Sequence, residues 1–147
     1  AREKQPFNLI VLDAFSSDAV PTHLMTREAV ALYLKRLTPD GILLFHISNR
    51  LLDLDRVLSA AARELGLYGA LYISDNPPYG TKTYWAVLTP SAQTLETLRH
   101  ADAGWRDLPE PRLKNLWTDD YANVTGVVRK GRRSVSRARE EMKKLDF

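Results

Sequence analysis

The sequence predicts an α/β fold, the C-terminal half of a doubly wound sheet that is mostly parallel and closes on an antiparallel hairpin. Three observations lead there. Two continuous apolar runs, Asn8–Asp13 (NLIVLD) and Gly41–Ser48 (GILLFHIS), have the character of strands covered on both faces rather than one. Amphipathic helical segments alternate with them, which is the pattern of a parallel sheet. The glycine-rich turn that opens a dinucleotide-type half is missing, because the seven glycines are scattered along the chain.

The elements follow in order. Asn8–Asp13 suits a central parallel strand. After the loop-like FSSDAVPTH, Thr26 can cap a helix TREAVALYLKRL, in which Val30, Tyr33, Leu34 and Leu37 return to one side. Pro39-Asp40-Gly41 stops that helix and leads into the second strand. Asp53 can cap LDRVLSAAAREL, whose stripe is Leu54, Val57, Leu58, Ala61 and Leu65, with Gly66 as a left-handed terminator. Gly69–Ser74 and Thr83–Leu88 flank a loop holding Pro77, Pro78, Tyr79 and Gly80, as in a hairpin with a long connection. Ser91 can cap a short helix through Leu98. Residues Trp105–Thr125 read as irregular, and SVSRAREEMKKL as a polar helix. The domain expected is 1–128, a partial α/β unit, followed by a basic helical tail at 129–147.

Composition narrows the chemistry. Hydrophobic residues are 44% and charged residues 27% of 147, which is ordinary for a globular protein. Cysteine is absent, so disulfides, thiolate metal sites and cysteine nucleophiles are excluded together. No apolar run approaches the roughly 18 residues of a membrane span, so the chain itself is expected in the cytoplasm. The net charge of +3 is concentrated in Gly126–Phe147, with eight Lys or Arg against three acids. The rest of the chain is net acidic. The basic pI therefore describes a tail, and nucleic acid is not an expected partner.

In a doubly wound sheet ligands bind beyond the carboxyl ends of the strands, which places Asp13, Ser16, Ser17, Asp18, Ser48 and Asn49 where chemistry would occur. Asp13 ends a strand and Asp18 follows five residues on, with two hydroxyls between. Two carboxylates so placed can bind an ammonium group, and one of them can accept its proton. The plain alternative is that both make turn hydrogen bonds. His23 and His46 have no metal-ligand spacing and read as packed or solvent-facing side chains. Tyr84 and Trp85 read as core rather than as a purine stack. Ser16 or Ser17 as a hydrolase nucleophile lacks the G-x-S-x-G elbow and a histidine partner.

The segment DAFSSDAVPTHLMTREAVALYLKRLTPDGILLFHISN resembles the corresponding part of spermidine synthase-like proteins, the polyamine aminopropyltransferases, and the resemblance runs from about Phe7 to Val128. It implies the C-terminal half of a Rossmann-like, S-adenosylmethionine-dependent methyltransferase-type sheet. It also implies a parent protein, in some forms membrane-attached, that transfers an aminopropyl group from decarboxylated S-adenosylmethionine to a putrescine-like polyamine without a metal. Asp13 would then be the catalytic acid that helps deprotonate the amine, and Asp18 would hold the substrate's other ammonium group. Pro78-Tyr79-Gly80 resembles the family's Pro-Tyr-Pro-Ser-Gly loop, so Tyr79 would line the amine pocket. Trp117-Thr118-Asp119-Asp120-Tyr121 resembles its Thr-Asp-Asp segment, here followed by Ala122-Asn123 where the family has Ala-Pro. Asp119 and Asp120 are expected to cap or to sit in a structural hydrogen-bond network.

The same resemblance defines a deficit, since the half that would grip the cofactor is absent from this sequence and no cofactor is expected on this chain. The isolated chain is expected to be inactive. An apolar first strand without its neighbour would pair with another chain, so a homo-oligomer is expected. Two rival readings stand beside this one: an S-adenosylmethionine-dependent methyltransferase, and a noncatalytic interaction or oligomerisation module.

Overall fold

The computed structural model describes residues 5–14, 21–49, 52–74 and 82–128. The expected basic tail 129–147 lies outside the described residues, as do Ser16, Ser17, Asp18 and Tyr79.

Among the described residues five strands form one mixed sheet: β1 (Phe7–Leu12), β2 (Leu37–His46), β3 (Tyr68–Ser74), β4 (Thr83–Thr89) and β5 (Trp105–Asp107). Their spatial order is β1-β2-β4-β3-β5. Three helices, α1 (Arg27–Leu34), α2 (Leu54–Leu65) and α3 (Ala92–Ala101), pack against it. The α/β class holds, but the expected parallel majority does not, because β1 with β2 is the one parallel pair and the other three pairings are antiparallel. The hairpin explains the difference. After α2 the chain runs out along β3 and returns as β4, which occupies the slot beside β2 where a third parallel strand would otherwise lie.

The first strand is likewise not central. It forms an edge, and Leu9 and Val11 are each 51% exposed on the side away from the main core. A continuous apolar run cannot distinguish a strand covered on both faces from one with an uncovered face. The expected helix stop Pro39-Asp40-Gly41 lies inside β2, where the register jumps from Phe7↔Leu37 to Leu9↔Ile42. Proline is tolerated in a sheet at such a bulge. Glycine is required there, because a Cβ at position 41 would lie 2.5 Å from Leu37 Cγ.

The helices begin where the sequence predicts and α2 also ends there, but α1 stops at Leu34, so that Leu37 belongs to β2, and α3 runs on to Ala101. The Thr26 hydroxyl accepts the Ala29 N–H, and the Ser91 hydroxyl accepts the Thr94 N–H. Gly66 closes α2 in the left-handed region at φ 66°. Asp53 departs from expectation: its backbone is not extended, its side chain makes no cap bond, and it sits 3.5 Å from Arg56 Nε instead.

Alternation along the strands divides the sheet into two unlike faces. Leu12, Leu43, Phe45, Ile47, Leu71, Ala86 and Leu88 join Val57, Leu58 and Ala61 of α2 in the main core, closed by Met25 and Trp117. The opposite face has a smaller cluster, Ala70, Val87 and Leu95, with Ile42, Leu44, Leu98 and Trp105 packed at its border. Among the described residues no helix is long and apolar enough to cross a membrane.

Candidate functional site

The parallel register Leu12↔Phe45 brings the next residues, Asp13 and His46, side by side at the carboxyl ends of β1 and β2. Asp13 Oδ1 lies 2.6 Å from His46 Nδ1. Strand alternation points His46 and Ser48 to the same face, and His46 Nε2 lies 2.7 Å from Ser48 Oγ. The Tyr84 N–H donates to the same hydroxyl at 2.9 Å. Trp85, directly across from His46 on β4, stacks on the imidazole with centroids 4.4 Å apart and planes at 23°.

The proton arrangement follows from the donor inventory. An ionised carboxylate only accepts, so His46 Nδ1 carries the proton shared with Asp13. With the imidazole neutral, Nε2 accepts the Ser48 O–H, while Ser48 accepts from Tyr84. Protonation of the ring would turn Ser48 into an acceptor of both neighbours without moving a heavy atom, since a hydroxyl has two lone pairs. The histidine is thus held at both nitrogens and on one face. Its side chain is 23% exposed against 63% for Asp13, so the carboxylate faces solvent while its anchor does not. Asp13 Oδ2 has no partner among the described residues.

His46 is thus a packed side chain, as expected, and what the sequence reading did not name is its hydrogen-bond partner at each ring nitrogen. The signal was present in the sequence as alternation, because His46-Ile47-Ser48 sends two polar groups to one side of an otherwise apolar strand. Trp85 departs from expectation, being half-buried and stacked on a ring rather than in the main core. Tyr84, on the other face, does pack against that core. Asn49 is buried, and its Oδ1 accepts the Leu52 N–H at 2.8 Å, a structural role.

A larger cleft of about 730 Å³ lies elsewhere, lined by Thr22, Glu28, Lys35, Asp119, Asp120 and Tyr121 among others. Two of its three acids, Glu28 and Asp119, are engaged, while Asp120 is exposed. Thr26 donates to Asp119 Oδ1 at 2.7 Å, and the Asp119 N–H donates to Glu28 Oε2 at 3.1 Å. Asp119 therefore braces the start of α1, the structural role expected for it. The Glu28 carboxyl is held below the ordinary range chiefly by its own backbone N–H; burial opposes this, and Arg27 and the Asp119 N–H add to it. His23 lies at the rim of this cleft and is exposed. Among the described residues no group of three or more His, Asp or Glu could hold a metal ion.

Sequence reasoning missed one further feature. Asp13, His46, Trp85, Tyr72 and Trp105 stand in a row across the sheet, one from each strand region, through the pairs His46↔Trp85, Tyr72↔Trp85 and Tyr72↔Trp105. Strand pairing created the row, and no spacing along the chain reveals it. No protein-family model and no curated protein matches this chain.

Proposed function

We propose that this chain carries the amine-handling half of an alkyl-transfer enzyme, whose parent moves an aminopropyl group from decarboxylated S-adenosylmethionine to a polyamine nitrogen. The observation that carries the reading is the Asp13 carboxylate, at a strand's carboxyl end, with one oxygen fixed by His46 and the other without a partner among the described residues. The resemblance of DAFSSDAVP and its surroundings to spermidine synthase-like proteins supplies the reaction. On this reading the sheet is the C-terminal half of a doubly wound, methyltransferase-type fold.

An amine with a lysine-like pKa near 10 is mostly protonated at neutral pH and has no free lone pair. The other oxygen of Asp13 takes the proton, and the nitrogen then attacks the carbon bonded to sulfonium. The C–S bond breaks, its electron pair stays on sulfur, and a neutral thioether leaves. His46 keeps Asp13 oriented, so that the accepting oxygen is in place before the amine arrives. Asp18 and Tyr79 are proposed to line the same pocket, and no residue of this chain is assigned to the sulfonium donor.

The test is transfer by the complete gene product with and without Asp13→Asn. Loss of kcat/KM by about 10²-fold or more with an unchanged fold supports the reading. Full activity in the variant overturns it.

A second reading is favoured by the exposed edge of β1. Phe7, Leu9 and Val11 are exposed on the edge strand, and Phe7 and Leu9 lie beside Leu32 of α1. A noncatalytic module would use this surface to assemble, and a homo-oligomer would satisfy it. Light scattering on a size-exclusion column distinguishes the cases, since a clean monomer at high concentration counts against self-association.

A further inference from the structure

Beside the aromatic row, on the face away from the main core, a pocket of about 300 Å³ is lined by Leu44, Tyr72, Trp85, Asp102 and Trp105. Its lining is three aromatic rings and one aliphatic side chain, and among the described residues Asp102 is its one carboxylate. Tyr72 and Trp105 meet edge to face, with centroids 5.3 Å apart at 61°. Trp85 is held from the far side by its stack on His46.

Asp102 is fixed rather than free-swinging. It is the C-cap of α3, its Oδ1 accepts the Gly104 N–H at 2.7 Å, and its Oδ2 accepts the Tyr72 O–H at 3.2 Å. Position 104 must be glycine for this packing, because a Cβ there would lie 2.5 Å from Tyr72 Cε2. The C-terminal carbonyls of α3 add partial negative charge at the same place. The nearby cation Arg99 is engaged by Asp107, so it does not neutralise Asp102. The Tyr72 hydroxyl is held above the ordinary phenol range by its bond to Asp102 and by that residue's charge.

Aromatic faces and one carboxylate around a small cavity favour a poorly hydrated cation over either a neutral or an anionic ligand. We propose that Tyr72, Trp85, Trp105 and Asp102 form a cage for an alkylammonium group, the far end of a linear polyamine whose reacting nitrogen lies at Asp13. The second clause rests on the function proposed above. From β1 to β3 are three strand steps, about 14 Å at the usual spacing between paired strands. That span is too long for a short diamine and within reach of a triamine, so the cage selects for acceptor length as well as for charge.

The test uses this chain and follows its indole N–H resonances by NMR. The sequence has three tryptophans, and Trp117 is fully buried in the main core, which makes it an internal control. Tetramethylammonium chloride should shift Trp85 and Trp105 saturably and leave Trp117 still, whereas uncharged tert-butanol should do so far more weakly. Asp102→Asn should weaken the ammonium by on the order of 5- to 30-fold. Trp105→Phe should retain binding and Trp105→Leu should lose it, which separates loss of the ring from loss of the fold. Spermidine should bind more tightly than putrescine, with that preference abolished by Asp102→Asn.

Equal shifts from tert-butanol, an unmoved Trp105, or an Asp102→Asn variant with unchanged affinity would overturn the cage. Asp13→Asn separates the two proposals. If that variant leaves tetramethylammonium binding intact and transfer by the complete gene product is also unaffected, the cage stands and the transfer reading falls. If Asp13→Asn abolishes transfer while the cage variants change neither binding nor acceptor preference, the transfer reading stands and the cage falls.

Discussion

The two faces of the sheet are built from alternate residues of the same strands, yet they are finished differently. One face is apolar throughout and sealed by α1, α2 and the segment around Trp117. The other keeps Ala70 and Val87 buried beneath Leu95 of α3 and leaves a row of Asp, His, Trp and Tyr partly open. Polar and aromatic side chains at half-burial stabilise less than a sealed core, so a chain that places several together on one face gains positioned chemistry rather than stability. On the proposed reading, folding rests on one face and binding on the other.

Breaking the sealed face should have the largest effect. Phe45 is fully buried, and Phe45→Ala is expected to lower unfolding free energy by about 3–5 kcal/mol, read from denaturant titration. The start of α1 comes next. Thr26→Ala removes the cap and strands its bond with Asp119, for about 1–2 kcal/mol in the same measurement. Gly66→Ala forces a side chain into the left-handed region at no contact cost, since no atom lies within 4 Å of the added Cβ, and should cost about 1 kcal/mol. On the open face, His46→Asn keeps a donor toward Asp13 and should change stability least of the four.

A pH effect sharpens the contrast. Because Glu28 titrates lower in the folded chain than in the unfolded one, its stabilising bonds are fully present above the ordinary carboxylate range. They are lost as pH falls through the folded value. Acid should therefore loosen the start of α1, while Glu28→Gln should flatten that limb of a stability-versus-pH curve. Glu28 is solvent-facing, so the effect is small.

Much of the sealed face was legible in the sequence. The Thr26 cap, the Gly66 terminator and the stripe of α2 are local signals, and α2 spans Leu54–Leu65 as its periodicity predicts. Sheet order was not legible, because hydrophobic pattern records burial and not which strand lies beside which. The insertion of β4 beside β2 follows from pairing alone, whereas the edge position of β1 was expected from the absence of a neighbouring strand in this sequence. For the same reason Asp13 could be singled out from its place at a strand end, whereas Tyr72, Asp102 and Trp105 could not. Their proximity exists only after β3 has paired with β4 and β5.

The most direct measurement of the central claim is a spermidine titration of this chain, mapped residue by residue through backbone and indole N–H shifts. The account predicts that perturbations gather on Asp13, His46, Trp85, Tyr72 and Trp105 and spare the cleft around Glu28, Asp119 and Asp120. Shifts confined to that larger cleft would contradict it, and would move the amine site from the open face of the sheet to the start of α1.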